Sequence, residues 1–313
     1  MLGALTFGLI ISIAALGVSI WIEASLQRVA VFSDYDGRPA AGRGTNWLLV
    51  GSDSREGLAP EQQAALTTGG DVGGGRTDTI LVVHIPDPLS SEPTTMVSIP
   101  RDSYVDIPGW GMDKINAAFT QGGPPLLART VEEATGLRLD HYAEIGFAGF
   151  GGLVDALGGV EVCPSEPITD PLAGIDLAAG CQTLAGPAAL GYVRTRATPR
   201  ADLDRMIHQR EFMAALLGRA GSPTVWLNPW RWFSVSRAAV SALTVDWDAH
   251  IWNLAHLGWA LRGSEATLTV PIGEFLGNES GAVVVWEYNA AGALFEALRT
   301  DSPIPQQVLD SQP

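Results

Sequence analysis

Three short clusters of arginine and aspartate, each beside an apolar run, contain the residue types that bind a diphosphate. They are Gly51–Arg55, Arg76–Thr79 and Pro100–Asp102. Arginine presents a planar, permanently charged group that donates paired hydrogen bonds to phosphate oxygens. Aspartates next to such arginines can hold a divalent cation that bridges the same phosphates. The clusters therefore predict a pyrophosphate site, provided that the fold brings them together.

The candidate residues divide into carboxylates and arginines. Asp53 and Asp78 are candidate ligands for Mg²⁺, or Mn²⁺ in its place, since Mg²⁺ takes one or two carboxylates and completes its shell with water and phosphate oxygens. The alternative is that each aspartate only pairs with a neighbouring arginine. For the arginines the alternative is solvation at strand ends, where an ion pair contributes about 0–1 kcal/mol. The candidate phosphate-binding arginines are Arg55, Arg76, Arg101, Arg194 and Arg196.

The order of the strands offers a way to bring the clusters together. Apolar runs typical of buried strands occupy Asn46–Gly51, Thr79–Ile85 and Thr95–Ile99. In an antiparallel meander, the end of the first strand, the start of the second and the end of the third lie at one edge of the sheet. That edge would collect all three clusters, although Asp53 and Asp78 lie 25 positions apart.

Further candidates lie beyond residue 185. Residues 188–196 are expected to pass from a helical turn into a short strand, in which Arg194 and Arg196 would point to the same face. Residues Asp202–Leu217 predict a helix. That helix carries one polar stripe, formed by Asp202, Arg205 and Gln209.

The stretch Phe147–Leu157 predicts an apolar helix in which several positions are glycine. Two interpretations stay open for it. The missing side chains could leave a groove for a lipid tail, or they could allow close packing of the helix against the sheet.

The N-terminal segment Leu2–Ile22 carries no charge. Its length is about that needed to cross a bilayer. A cleaved signal peptide usually has a shorter apolar stretch and a small-residue cleavage site. Trp21 stands at the depth where tryptophan is common in membrane anchors. We therefore expect an uncleaved anchor, with a cleaved signal peptide as the alternative.

Cys163 and Cys181 are the two cysteines, and they flank a proline-rich loop. Neither belongs to a CxxC pair, which argues against zinc. A disulfide between them would contribute about 3 kcal/mol in the chain-entropy model. It would also place this part of the chain in an oxidising compartment, outside the cytoplasm. The alternative is two unrelated buried thiols.

The net charge of -15 argues against a general affinity for nucleic acid, so an anionic ligand must be bound by a local cluster. The chain has no Walker A loop, no HExxH pair and no GxSxG motif. These absences disfavour a P-loop nucleotidase, a zincin and a serine hydrolase.

The motifs together resemble the LytR-CpsA-Psr (LCP) family of cell-wall glycopolymer ligases, in its actinobacterial form. The resemblance runs from about Asn46 to Leu217. It is carried by Leu48–Arg55, Arg76–Leu81, Val97–Asp102, Lys114–Phe119, Val154–Val160, Tyr192–Arg196 and the Asp202, Arg205, Gln209 stripe.

The resemblance implies an α-β-α sandwich, with a central mixed β-sheet flanked by helices and one N-terminal transmembrane helix. The implied domains are an anchor at 1–22, a stalk at 23–45, a catalytic domain at 46–303 and a C-terminal tail at 304–313. Carried over by position, the family's catalytic residues are Asp53, Asp78, Arg101 and Arg196, with Asp53 and Asp78 binding Mg²⁺. The pyrophosphate would be held by Arg55, Arg76, Arg101, Arg194, Arg196, Arg205 and Gln209.

The implied activity is a phosphotransfer at the outer face of the cell membrane. The donor would be a polyprenyl-pyrophosphate-linked glycan and the acceptor peptidoglycan, joined through a phosphodiester bond. One alternative is a pyrophosphatase that delivers water to the same site. Another is a non-enzymatic, lipid-binding or regulatory cell-wall protein. His208 departs from the family pattern because many members have arginine there, and the loop between Asp53 and Asp78 is longer than in many members.

Overall fold

A seven-stranded mixed sheet, built largely from the apolar runs of the sequence, forms the centre of the molecule. The computed structural model describes residues 16–52, 77–195, 197–198, 202–220, 222–226, 228–261, 266–278 and 281–312. The strands, in chain order, are β1 Gln27–Val29, β2 Thr45–Ser52, β3 Thr77–Ile85, β4 Thr95–Ile99, β5 Tyr104–Ile107, β6 Gly111–Lys114, β7 His141–Gly146, β8 Val160–Val162, β9 Ile168–Asp170, β10 Ile175–Leu177, β11 Gln182–Leu184, β12 Leu243–Asp246, β13 Ala266–Thr269, β14 Ile272–Asn278 and β15 Gly281–Trp286.

The order of strands in the sheet is β1-β12-β7-β2-β3-β4-β13. β2, β3 and β4 form the antiparallel meander that the sequence predicts, and β7 lies parallel to β2. Short antiparallel pairs β5–β6, β8–β11, β9–β10 and β14–β15 surround this sheet.

Helices cover both faces of the sheet. They are α1 over residues 16–25, and then α2 Ile115–Thr135, α3 Phe147–Ala156, α4 Gly186–Arg194, α5 Asp202–Ala220, α6 Pro223–Trp226, α7 Pro229–Ala242, α8 Ile251–Ala260, α9 Tyr288–Thr300 and α10 Gln306–Asp310.

Alternate side chains of the central strands enter two separate cores, because successive residues of a strand point to opposite faces. Leu48 and Val50 of β2 face the first core, which α2, α9 and α10 close. Trp47 faces the second core, where Ile22 of α1 and Leu257 of α8 pack. The predicted α-β-α sandwich with a mixed sheet is therefore confirmed.

A third core lies in the segment that follows β7. It joins α3, α4 and α5 to the short strands β8–β11 through buried residues such as Val154, Tyr192 and Phe212. Cys163, after β8, and Cys181, before β11, form the predicted disulfide. The bridge closes the loop that contains the β9–β10 hairpin.

The segment expected to be a stalk contributes to the folded domain. β1 pairs in parallel with β12 at the edge of the sheet. Arg38 forms an ion pair with Glu132 of α2 at 3.0 Å, and the Tyr35 hydroxyl donates to the same carboxylate. Val308, in the segment expected to be a tail, is buried in the first core. The division into four domains stays a prediction, but both flanking segments pack on the central domain.

One prediction of secondary structure needs correction, and one helix has an irregularity. α2 has a kink at Gly123, where the backbone angles are not helical. Residues 186–194 form the helix α4, so the predicted strand around Arg194 was wrong. Among the described residues, no helix is both long and apolar enough to cross a membrane. Residues 1–15, most of the predicted anchor, lie outside them.

Candidate functional site

One edge of the sheet collects the chain segments that the sequence analysis singled out. Ser52, the last residue of β2, pairs with Thr77, the first residue of β3. Ile99, the last residue of β4, pairs with Ile80 of β3, and Gly146 at the end of β7 pairs with Ser52. The convergence predicted from the meander is confirmed for these strand ends.

A β-bulge at this edge gives Asp78 a special position. Gly51 pairs with Thr79 whereas the next residue, Ser52, pairs with Thr77, so Asp78 has no partner of its own across the ladder. The Thr77 hydroxyl donates to the carbonyl oxygens of Gly51 at 3.1 Å and Thr79 at 3.0 Å, which holds the bulge closed. Bulges reorient side chains and are frequent beside active sites.

Asp78 and Arg101 meet at the bulged edge. Nη1 of Arg101 lies 2.5 Å from Oδ1 of Asp78. The Asp78 side chain is 29% exposed and that of Arg101 is 20% exposed, so both are partly covered but reachable from solvent. Two residues predicted to be catalytic are thus in direct contact.

The charged contacts continue to two residues for which the sequence analysis proposed no role. Nε of Arg101 lies 3.4 Å from Oδ2 of Asp102, and Nζ of Lys114 lies 3.0 Å from Oδ1 of Asp102. Asp78, Arg101, Asp102 and Lys114 form a row of alternating charges, which we call the charged row. The sequence did contain a signal that sets Lys114 apart, because it is the only lysine of the chain.

The backbone that carries Arg101 is fixed from two sides. The carbonyl oxygens of Arg101 and Ser103 accept hydrogen bonds from the backbone of Asn116 and Ile115, at the start of α2. From the other side, Nε1 of Trp286 in β15 donates to the Ser103 hydroxyl at 2.9 Å. These hydrogen bonds therefore hold the backbone on both sides of the Arg101 side chain, as a preorganised electrostatic site requires.

A second group of predicted residues lies where α4 meets α5. Nε2 of Gln209 donates to the carbonyl of Val193 at 3.1 Å, in the last turn of α4 that also carries Arg194. The His208 ring packs against the Tyr192 ring, with centroids 4.6 Å apart. Burial, together with the charge and hydrogen bond of Glu211, raises the pKa of Tyr192 to about 12.

The remaining predicted site residues lie outside what the structure describes. These are Asp53, Arg55, Arg76 and Arg196, and for Arg205 only the backbone position in α5 is described. Their roles stay predictions.

Gly149 of α3 and Gly186 of α4 serve close packing. A Cβ atom at Gly149 would lie 2.5 Å from the Cα of Ala242, at the end of α7. A Cβ atom at Gly186 of α4 would lie 2.5 Å from the carbonyl oxygen of Gly151. Of the two interpretations of this stretch, the structure supports packing at these positions, because neighbouring backbone fills the space that a lipid-tail groove would need.

The oxygen atoms at the bulged edge fit a magnesium ion. Among the described residues, no cluster of three or more His, Cys, Asp or Glu side chains could hold a metal alone. Mg²⁺ usually needs only one or two carboxylates, with water and substrate oxygens completing its shell. Asp78 supplies one carboxylate, and Asp53 follows Ser52 directly. The Ser52 hydroxyl is buried without a hydrogen-bond partner within the described part of the chain.

Comparison with known proteins agrees with this geometry. The sequence model of the LytR_cpsA_psr family matches residues 23–297. The chain is 54% identical over 301 residues to a Corynebacterium glutamicum protein described as a probable cell wall biosynthesis protein, LcpB. That alignment covers 95% of this chain and 70% of the relative.

Two further proteins show similarity over shorter or more divergent alignments. The polyisoprenyl-teichoic acid–peptidoglycan teichoic acid transferase TagU of Oceanobacillus iheyensis is 37% identical over 184 residues, which are 56% of this chain and 52% of that protein. A solved structure of a LytR-Csp2A-Psr enzyme from Actinomyces oris superposes with a TM-score of 0.67 at 21% identity. It covers 88% of this chain and 96% of the other, and so shows the shared fold.

Proposed function

The chain belongs to the LytR-CpsA-Psr family, and we propose that it transfers a glycopolymer from a polyprenyl-pyrophosphate carrier to peptidoglycan, forming a phosphodiester bond. The observation that carries the proposal is the Asp78–Arg101 contact at the bulged sheet edge, extended by Asp102 and Lys114. The name of the TagU relative describes the transfer of a polyisoprenyl-linked polymer to peptidoglycan, which supports this choice of donor and acceptor.

In the proposed reaction a hydroxyl group of peptidoglycan attacks the phosphorus atom that bears the glycan. A new P–O bond forms to the acceptor, the bond to the bridging oxygen breaks, and polyprenyl phosphate leaves. The acceptor hydroxyl loses its proton as the new bond forms, and the proposed proton acceptor is a carboxylate oxygen of Asp53 or Asp78 that the metal does not engage. Arg101 donates hydrogen bonds to the phosphate oxygens, where charge develops in the transition state. Arg55, Arg76, Arg194, Arg196, Arg205 and Gln209 complete the proposed pyrophosphate site.

Asp53 and Asp78 are the proposed holders of Mg²⁺ or Mn²⁺. When bound, the cation would neutralise charge on the phosphate oxygens. Asp78 is also paired with Arg101, so the carboxylate that would hold the cation also orients the arginine that is proposed to bind the phosphate.

The proposed location is the outer face of the cell membrane, with the uncharged segment 2–22 as a single-pass anchor. The disulfide between Cys163 and Cys181 supports an oxidising compartment for the domain. A polyprenyl donor is itself a membrane lipid, so a membrane-anchored enzyme would lie beside its substrate.

The test is a transfer assay with the full-length chain, a polyprenyl-pyrophosphate glycan and peptidoglycan. We expect a phosphodiester-linked product that chelation of divalent cations abolishes and that Mg²⁺ or Mn²⁺ restores. Asp78→Asn should lower transfer, because one metal-binding carboxylate oxygen is lost. Asp106→Asn is a suitable control, because Asp106 is an exposed residue of β5. If the donor is cleaved but no glycan reaches peptidoglycan, the protein is a pyrophosphatase and the proposal is wrong.

A further inference from the structure

The exposed face of α8 carries two tryptophans. Trp252 and Trp259 are seven positions apart, which is two helical turns, and they are 62% and 72% exposed. Ala255 and His256 lie between them on the same exposed face. The opposite face buries Leu257 in the second core. Large aromatic side chains normally lose much of their surface on folding, so this face, which we call the tryptophan face, indicates a partner.

The tryptophan face lies beside the point where the uncharged N-terminal segment ends. The Trp252 ring stacks on the His250 ring with centroids 4.3 Å apart. Nδ1 of His250 is hydrogen-bonded to Oε1 of Glu23 at 2.7 Å, and Oε2 of Glu23 accepts from the backbone N–H of Ile251. Glu23 is the first charged residue after the run 2–22. These contacts fix the start of α8 to the end of that run.

The described part of the run is itself apolar on two sides. Ile22 packs in the second core, while Leu16 and Ile20, one turn apart, are 62% and 60% exposed. Trp21 stacks on Phe233 of α7, which is also exposed. The apolar surface therefore continues from α8 across α1 to α7.

Charge in this layer differs from that of the rest of the chain. The chain contains 34 acidic residues, yet none occurs at 212–245 or at 249–261. Those two stretches supply α7, α8 and part of α5. Trp247 is exposed too, but it stands between Asp246 and Asp248 and is not part of the tryptophan face. α7 and α8 contribute no carboxylates to this surface, which makes them compatible with lipid headgroups that a molecule of charge -15 would otherwise repel where the lipids are anionic.

We propose that the tryptophan face docks onto the lipid bilayer, with Trp252 and Trp259 in the interfacial region. Tryptophan favours this region because its ring is apolar and its N–H can reach polar headgroups. The inference rests on the membrane attachment in the proposed function. A domain held by one helix alone can rotate about its tether, whereas a second contact on α8 fixes its orientation. The second core then faces the membrane, and the first core faces away from it.

The test uses the full-length chain in vesicles whose phosphatidylcholine and phosphatidylglycerol acyl chains are brominated. Bromine quenches the fluorescence of tryptophans that enter the bilayer. The variant Trp252→Ser/Trp259→Ser is compared with Trp110→Ser. Trp110 is a matched control, because it is 63% exposed and follows β5, whose Val105 and Ile107 pack in the first core on the opposite side of the sheet.

We expect the double variant to lose a part of the lipid-quenched emission that wild type and Trp110→Ser both show. Equal quenching in the double variant and wild type would overturn the proposal. If the wild-type protein is a dimer and the double variant is a monomer with unchanged quenching, the tryptophan face binds a second copy of the chain. That result would also overturn the proposal. If the wild-type protein does not float with the vesicles, membrane attachment fails together with this inference. Transfer from a short-chain, water-soluble donor then shows separately whether the proposed chemistry holds.

Discussion

Arg101 lies between two carboxylates, Asp78 and Asp102, and Lys114 neutralises the outer one. Ion pairs with this much exposure contribute little to stability, so their main effect is to orient the side chains. The location of Asp78 and Arg101 at this edge was predictable, because Asp78 lies at the start of one recognisable strand and Arg101 follows the end of another. The bulge at Asp78 was not predictable, because it depends on the register between β2 and β3. The contact of Lys114 with Asp102 was not predictable either, because it joins two separate chain segments.

A buried histidine outside the charged row should make stability depend on pH. His84 in β3 is hydrogen-bonded to Asn46 at 2.9 Å and to Asp301 at 3.2 Å. Burial lowers the pKa of His84, although Asp301 and, more weakly, Asp140 oppose that shift. In the unfolded chain the pKa is about 6.5. As the pH falls below that value, the unfolded chain takes up the proton first, so the free energy of unfolding should decrease.

Urea unfolding between pH 5 and pH 8 measures this effect. We expect the wild-type free energy of unfolding to be constant above about pH 7 and to fall toward pH 5. His84→Gln should be less stable at all pH values but should lose part of this slope. An unchanged slope in His84→Gln would show that other groups cause the pH dependence.

At the scale of elements, the meander β2–β4 followed from three apolar runs, whereas the last part of α4 was predicted to be a strand. Tyr192 and Val193 are residue types common in strands, so the local preference there does not favour a helix. In the structure Ala189 and Tyr192, three positions apart, both pack in the third core, and that is the spacing of a helix. Pro187 in the first turn also favours a helix that begins at this point of the chain. Tertiary packing therefore overrode the local preference.

Two glycines of α3 should respond oppositely to alanine. At Gly149 a new Cβ atom would lie 2.5 Å from the Cα and 2.6 Å from the Cβ of Ala242, so backbone must move. We expect Gly149→Ala to destabilise the protein by about 1–3 kcal/mol. At Gly152 nothing lies within 4 Å of the new atom. Gly152→Ala should therefore stabilise by about 0.5–1 kcal/mol through helix propensity. Urea unfolding of both variants checks the pair, and equal effects would contradict the close packing of α3.

The disulfide should stabilise the segment that holds β8–β11. Cys163 and Cys181 are 18 positions apart. Cys163→Ser/Cys181→Ser should lose about 3 kcal/mol of unfolding free energy, as expected for a loop of this size. Non-reducing mass spectrometry of the protein from its native compartment should find the bridge. Free thiols there would contradict both the bridge and the proposed location.

At the scale of the whole molecule, the family's architecture was recognisable from the motifs, but its limits were not. Residues 23–45 are polar and contain glycine, which is typical of a linker. Their role in the domain depends on contacts with distant residues, such as Arg38 with the buried Glu132. The local sequence pattern does not reveal contacts with such distant residues. The same holds for the net charge of -15, which gives no indication of the charged row at the sheet edge.

The central claim is that the edge carrying Asp78 and Arg101 binds a diphosphate. Calorimetric titration of a short-chain prenyl pyrophosphate, in the presence of Mg²⁺, measures this directly on the full-length chain. Arg129→Ala is the control, because Arg129 forms an exposed ion pair with Glu133 on α2. A hydrogen bond to a charged group contributes about 1.5–3 kcal/mol, so Arg101→Ala should raise the Kd about 10- to 100-fold. Arg129→Ala should bind like wild type. A wild-type Kd in Arg101→Ala would contradict the account.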